Sequence, residues 1–440
     1  MRPGWKHVGT DRNSGKRLRW DERHRVEGPR AMSPSGSAIL ILEQDGIGAR
    51  IAEARKLRGL TQSGLAILVP CSSSLVSQVE RGVKPATPRF VAAVARALHI
   101  DVPQLLGQPY RGTTERADRV HASIPQICIA MTYWDVAPDL DVAPRPLEAI
   151  RADIAQTSHY LDTVDYLQLG KHLPGLIEEL SAVFHASAGA QRKQAAELLM
   201  YAYVAAKSMA YRLGYVDLVS VAVERATWAA RETDNPELLA FMAEERCQIF
   251  FATGAYDAGL KFIGRAYREY EPLITGHDSG LAIAGAMHLR AAIMAARDYK
   301  RRTDAWDYLA QAAEVGQRLG SDTGHYGLIF GPTNVKIHAV ATAIELDDAD
   351  EAIRRSEGFE PAGAVPAERS SHHYIDLARA QLVTGQREQA LRSLLTADKL
   401  APQHTRNHPM ARETVTGLVR VHARIPESLR SMARRMGVAA

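Results

Sequence analysis

Groups able to do chemistry are sparse in this chain of 440 residues, and their spacing excludes most reactions. The cysteines Cys71, Cys128 and Cys247 lie far apart and match no metal-ligand or redox motif. An odd, scattered set suits a reducing compartment and argues against a disulfide framework. His372 and His373 form the conspicuous histidine pair, but adjacent helical positions point about 100° apart, so the two do not chelate one ion. A surface or groove position is expected for them. The chain holds no phosphate-binding Gly-rich loop with lysine, no paired-histidine zinc helix and no nucleophile elbow. Catalysis, a cofactor and a metal are therefore not expected. What remains is charge. Residues 1–31 carry nine basic and four acidic side chains, residues 32–45 two acidic ones, and residues 46–109 eight basic and three acidic. The whole chain is +4, so residues 110–440 sum to −4. Basic charge gathered in the first quarter is what a polyanion would bind.

The elements that must position these charges can be bounded first. The chain is longer than one core usually serves, so two or more domains are expected. No apolar run approaches the ~20 residues of a membrane helix, and Ala38–Leu42 is too short for a signal-peptide core. A cytoplasmic protein without a membrane span is expected. Arginine exceeds lysine roughly fourfold, a bias common in bacteria with GC-rich genomes. Residues 1–37, rich in Gly, Pro, Ser, Arg and His, show no periodicity and are expected to be a disordered basic tail. Met32 offers an alternative start.

From Gly46 to Gln108 short helices follow one another with readable ends. Ile47, Ile51 and Ala54 share one face, and Gly59 stops that helix. Thr61 is an N-cap for a second helix with Leu65, Ala66 and Leu68. After Val69-Pro70-Cys71, Ser72 caps a third helix whose Leu75, Val76 and Val79 face inward, closed by Gly82. Thr87-Pro88 opens a fourth with Val91, Val94, Ala95 and Leu98. Asp101 is expected to cap a fifth with Leu105 and Leu106. Five helices, two of them joined by a three-residue turn, predict a helix-turn-helix domain over residues 46–108.

Residues 109–145 are expected to be a linker and residues 146–440 a helical domain. The clearest internal unit there is Leu377, Ala378, Gly385, Ala390, Leu394, Ala397 and Pro402, with small residues where two antiparallel helices approach and glycine at the turn. Weaker copies occur at Gly254–Ala266, Ala305–Ala312 and Asp347–Ala352. Stacked units of roughly 34–45 residues form a solenoid. The fold class expected is all-α: a five-helix head followed by an α-solenoid of helix pairs.

Leu60-Thr61-Gln62, Leu65-Ala66, Ser72, Val76-Ser77 and Val79-Glu80-Arg81-Gly82 resemble, without a gap, the Cro/phage-repressor (xenobiotic-response-element) type of helix-turn-helix. The likeness runs from about Ile47 to Leu106. Two positions depart from the family: Pro70 replaces its turn glycine and cannot take positive φ, and Gly64 replaces the acidic residue of its capping box. A reshaped turn is expected. The Leu377–Pro402 unit resembles the tetratricopeptide repeat. The combined layout is similar to actinobacterial regulators with a repressor-type head and a repeat-containing body, and to peptide-pheromone-responsive regulators.

The resemblance implies that the third helix enters the major groove, with Ser73, Ser74 and Gln78 at base edges. It implies a phosphate contact for Gln62 and a backbone or minor-groove contact for Arg89. Proximity adds Arg81 and Lys84 as phosphate contacts. In the repeats, a groove for an extended peptide or partner segment is expected, lined by Arg290, Asn334, Ile337, His372, Ile375 and Arg379. The function expected is a sequence-specific regulator that binds double-stranded DNA as a homodimer, gated by a ligand, peptide or partner at the repeats. The alternative is a repeat-protein adaptor, mediating protein–protein contacts, whose head does not read DNA.

Overall fold

The computed structural model describes residues 46–110, 115–361 and 365–439, and the protein is all-α over them. The stretch expected to be a disordered tail lies outside the described residues. Five helices build the head: α1 (Ile47–Leu57), α2 (Gln62–Leu68), α3 (Ser73–Glu80), α4 (Pro88–Leu98) and α5 (Val102–Leu106). Three of their starts follow from side-chain caps, whereas the Asp101 side chain, expected to cap α5, makes no cap hydrogen bond. Thr61 Oγ1 accepts the Gly64 N–H at 2.9 Å, Ser72 Oγ that of Leu75 at 3.2 Å, and Thr87 Oγ1 that of Phe90 at 3.3 Å. Each satisfies one orphan donor of a helix start.

The turn between α2 and α3 is built without left-handed backbone. Val69 is extended (φ −118°, ψ 146°), and the Cys71 N–H donates to the Val69 carbonyl at 2.7 Å. Pro70 therefore fits where a left-handed glycine turn would not admit it.

The stretch expected to be a linker is folded in part. α6 (Glu115–Ala122) and α7 (Ile124–Ala130) lie within it, and Ile124, Ile127, Ala130 and Met131 are buried in the largest apolar core. The apolar spacing Val120, Ile124, Ile127 is helical, but Pro- and Asp-rich flanks obscure it.

The body continues as α8 (Leu147–Asp162), α9 (Tyr166–Ala186), α10 (Gly189–Leu213), α11 (Val216–Arg231), α12 (Pro236–Thr253), α13 (Tyr256–Ile274) and α14 (Asp278–Arg297). It ends with α15 (Ala305–Leu319), α16 (Pro332–Glu345), α17 (Ala349–Ser356), α18 (Ala367–Val383), α19 (Arg387–Leu400), α20 (Pro402–Asn407), α21 (Pro409–Val421) and α22 (Glu427–Met436). The α18–α19 pair is the clear repeat unit, and its turn uses Gly385 at φ +80°. α14 is long and apolar enough to cross a membrane, yet 83% of its apolar window is buried inside the protein. Its Gly285 admits the Phe330 ring so closely that a Cβ there would lie 1.9 Å from Cζ.

Head and body share one core. Ile51, Leu65, Val76 and Leu98 pack in the same apolar cluster as Ile375, Leu394, Leu418 and Met432. Polar ties reinforce the joint: Arg96 Nη2 donates to the Gly254 carbonyl at 3.2 Å, and Arg420 Nη1 to that of Gly82 at 3.2 Å. The Arg412 guanidinium stands 3.9 Å from the Tyr110 ring centroid. Residues 46–108 are thus a module in sequence but not a separately closed core.

Candidate nucleic-acid interface

The third helix is held from behind. Gly48 on α1 lets the backbone of α3 approach so closely that a Cβ would sit 2.0 Å from the Val79 carbonyl oxygen. Beside this contact the buried Arg55 grips Glu80 with two bonds, Nε to Oε1 at 2.6 Å and Nη2 to Oε2 at 2.9 Å. Arg55 Nη1 also donates to the Leu60 carbonyl at 2.6 Å. Gln62 Nε2 completes the clasp on Glu80 Oε2 at 2.8 Å. Burial would raise the Glu80 carboxyl, but the bonds from Arg55 and Gln62 outweigh it and hold the group below its ordinary value. The clasp joins α1, α2 and the end of α3, which fixes the outer face of α3 against the other two.

That outer face carries the residues expected to read bases. Ser73 and Ser74 are exposed, and the half-buried Gln78 donates through Nε2 to Ser74 Oγ at 3.1 Å. Ser74 and Gln78, four apart, lie on one side of the helix. The amide of Gln78 retains a carbonyl and a second N–H for a base edge. Arg81 and Lys84 are exposed at the C-terminal end of α3, and Gly82, at φ +67°, turns the chain between them. Helix, polar tip and flanking cations thus share one accessible edge of the head.

One expected DNA contact gains a second role and another is corrected. Gln62 spends one amide hydrogen on the Glu80 clasp and, like Gln78, retains its carbonyl and a second N–H, so the clasp leaves a phosphate contact open. Arg89 is buried at 9% exposure, pairs with Asp347 of the body, and lies 4.5 Å from the Tyr299 ring centroid. A guanidinium so placed ties head to body and does not reach a duplex.

The inner face of the repeats is also corrected. The six residues expected to line an open groove are mostly consumed by the protein itself. Arg290 pairs with Glu244 at 2.8 Å, and Arg379 with Glu345 at 2.9 Å and Asp376 at 2.8 Å. Asn334 is 2% exposed and donates to the Ile329 carbonyl, while Ile337 and Ile375 are buried. Arg297 adds a 3.1 Å contact to Glu345. Burial alone would raise the Glu345 carboxyl; Arg297 and Arg379 reverse this and bring it to about 2. One cavity of about 50 Å³ lies on this face, and His372 and Ile337 contribute walls to it together with Arg369, Glu345 and Asp376. Room for about one or two waters, not for a peptide, remains in this conformation.

His372 and His373 diverge as expected from their spacing, but the surface or groove position expected of both holds only for the partly exposed His372. His373 is fully buried, with its ring edge-on to Phe359 at 5.2 Å between centroids. His372 instead meets His404 and His408, at centroid separations of 5.9 and 4.9 Å. One ring nitrogen from each of the three lies within 4.8 Å of the others. Sequence reasoning did not use this cluster. The four-residue step from His404 to His408 was the available signal, but nothing in the sequence joins it to His372.

Residues 47–106 match the family profile described as a helix-turn-helix domain. No curated protein matches the chain. Among solved structures, the chain is similar to that of Bacillus thuringiensis PlcR in complex with the peptide PapR7 and DNA. The identity is 15% and the TM-score 0.28, over 71% of this chain and 94% of that one.

Proposed function

We propose that this protein is a sequence-specific DNA-binding transcriptional regulator whose helix-turn-helix head is controlled through its helical body. The observation that carries the reading is the helix-turn-helix domain over residues 47–106, with Ser73, Ser74 and Gln78 on the accessible face of α3 and Arg81 and Lys84 beside them. Polar side chains at a helix tip read base edges, and flanking cations hold phosphates. The basic balance of residues 46–109 supports the same partner.

Gating is supported by the joint. The head core continues into α18, α19, α21 and α22, so a ligand, peptide or partner that shifts those helices also shifts the head. Such a ligand would have to displace the ion pairs that now occupy the inner face, a differential contact between two states of the kind control requires. Two copies on half-sites about one helical turn apart are proposed, since one short recognition helix reads too few base pairs alone. The test is selection of genomic fragments by the full-length protein, followed by footprinting of the enriched sequences. Paired protections about 10 base pairs apart support the reading. Failure to enrich any sequence over bulk DNA would favour the adaptor alternative.

A further inference from the structure

The cluster of His372, His404 and His408 belongs to none of the contacts used above. His372 stands on α18, His404 on α20, and His408 in the extended residue that separates α20 from α21 (φ −76°, ψ 120°). The His404 and His408 rings, four residues apart, lie 5.3 Å from each other between centroids. His404 Nε2 and His408 Nδ1 are buried without a hydrogen-bond partner among the described residues. A buried polar nitrogen left unbonded is costly. Two of them, on rings clustered with a third imidazole, call for a shared partner.

We propose that His372, His404 and His408 bind one divalent transition-metal ion. Three imidazoles without thiolates suit zinc, nickel, cobalt or copper and discriminate against magnesium and calcium, which prefer oxygen. Ligand nitrogens around tetrahedral zinc stand about 3.4 Å apart, given bonds of about 2.0–2.1 Å. Binding would draw the nitrogens, now within 4.8 Å of one another, together by up to about 1.4 Å. His372 has a partly exposed side chain and forms a wall of the small cavity, which provides a path for the ion. Asp376 Oδ2 is 3.5 Å from His372 Nε2, so a carboxylate already stands at the edge of the site. Glu368, facing His404, is a second; the nearby cations are Arg212, Arg297, Arg369 and Arg379, of which Arg212 pairs with Glu368, Arg297 with Glu345 and Arg379 with Asp376 and Glu345.

The site lies where the head is held. α21 begins one residue after His408 and carries Arg412 to the Tyr110 ring and Arg420 to the Gly82 carbonyl. An ion that clamps His408 to α18 therefore braces the helix on which the head rests. Metal binding itself does not depend on the DNA reading.

The test uses the full-length protein without a histidine tag. Calorimetric titration with zinc and absorption spectroscopy with cobalt should give one equivalent per chain and the intense visible bands of a tetrahedral centre, with an upward shift in Tm. His372→Gln, at a partly exposed position that should tolerate it, weakens binding by at least about 100-fold, beyond what losing an outer-shell partner does. His404→Gln combined with His408→Gln abolishes it, and His159→Gln, an exposed histidine elsewhere, leaves it unchanged. If the double variant does not fold, the His372→Gln titration alone decides. Binding that survives His372→Gln undiminished, or no stoichiometric binding to the native chain, overturns the proposal.

Discussion

Replacing Glu345 with glutamine tests whether the inner face is held together by its own charges. The carboxylate is 3% exposed and lies between Arg297 and Arg379. Its pKa of about 2, against an ordinary 4.5, corresponds to about 3 kcal/mol of stability at neutral pH. The folded-state value is depressed, so this contribution is complete above the unfolded-state pKa and fades as pH falls from about 4.5 through about 2. At pH 3 about half of it remains. Urea unfolding of the native and Glu345→Gln proteins, followed by circular dichroism, should show a gap of about 3 kcal/mol at pH 7 that narrows by about half at pH 3. A gap below about 1 kcal/mol at pH 7, no more than an exposed pair is worth, would refute the reasoning. So would a gap of equal size at both pH values. Either result would mean that this carboxylate does not clamp Arg297 and Arg379.

Gly48→Ala should push α1 from α3, because its Cβ meets a backbone oxygen that cannot turn aside, and should cost about 1–3 kcal/mol. Hydrogen exchange at the Val76 and Val79 amides would accelerate while exchange in α14 stays unchanged. Glu80→Gln leaves Arg55 without its counter-charge and should destabilise the head by roughly 3 kcal/mol. A second change, Arg55→Met, should recover part of that loss in urea unfolding. Arg89→Ala removes the tie to Asp347 and Tyr299, so the head should loosen from the body. Faster exchange in α4 and altered DNA affinity are expected, and wild-type values for both would show that the tie does not restrain the head.

The legible features were those carried by local chemistry. Thr61, Ser72 and Thr87 announce helix starts because a capping hydroxyl and the amide it accepts lie within three residues. The α18–α19 pair is visible because small residues and Gly385 recur at fixed offsets. Arg89 was misassigned because its partner, Asp347, lies 258 positions away and no local pattern reveals it. The clasp role of Gln62 was missed for a related reason: a polar residue at a helix start suits a phosphate, and only the position of Glu80 reveals the clasp. Repeat offsets did identify an inward side of the helices for Arg290 and Arg379. They could not show that Glu244, Glu345 and Asp376 face them and close the groove.

The central claim is that α3 reads base sequence, and Gln78→Ala tests it most directly. Fluorescence anisotropy would compare the native and variant proteins on an enriched duplex and on a scrambled one of equal length at one salt concentration. A loss of about 1–3 kcal/mol, roughly 5- to 150-fold in Kd, is expected on the enriched duplex and no change on the scrambled one. Equal losses on both, or no loss on either, would contradict it.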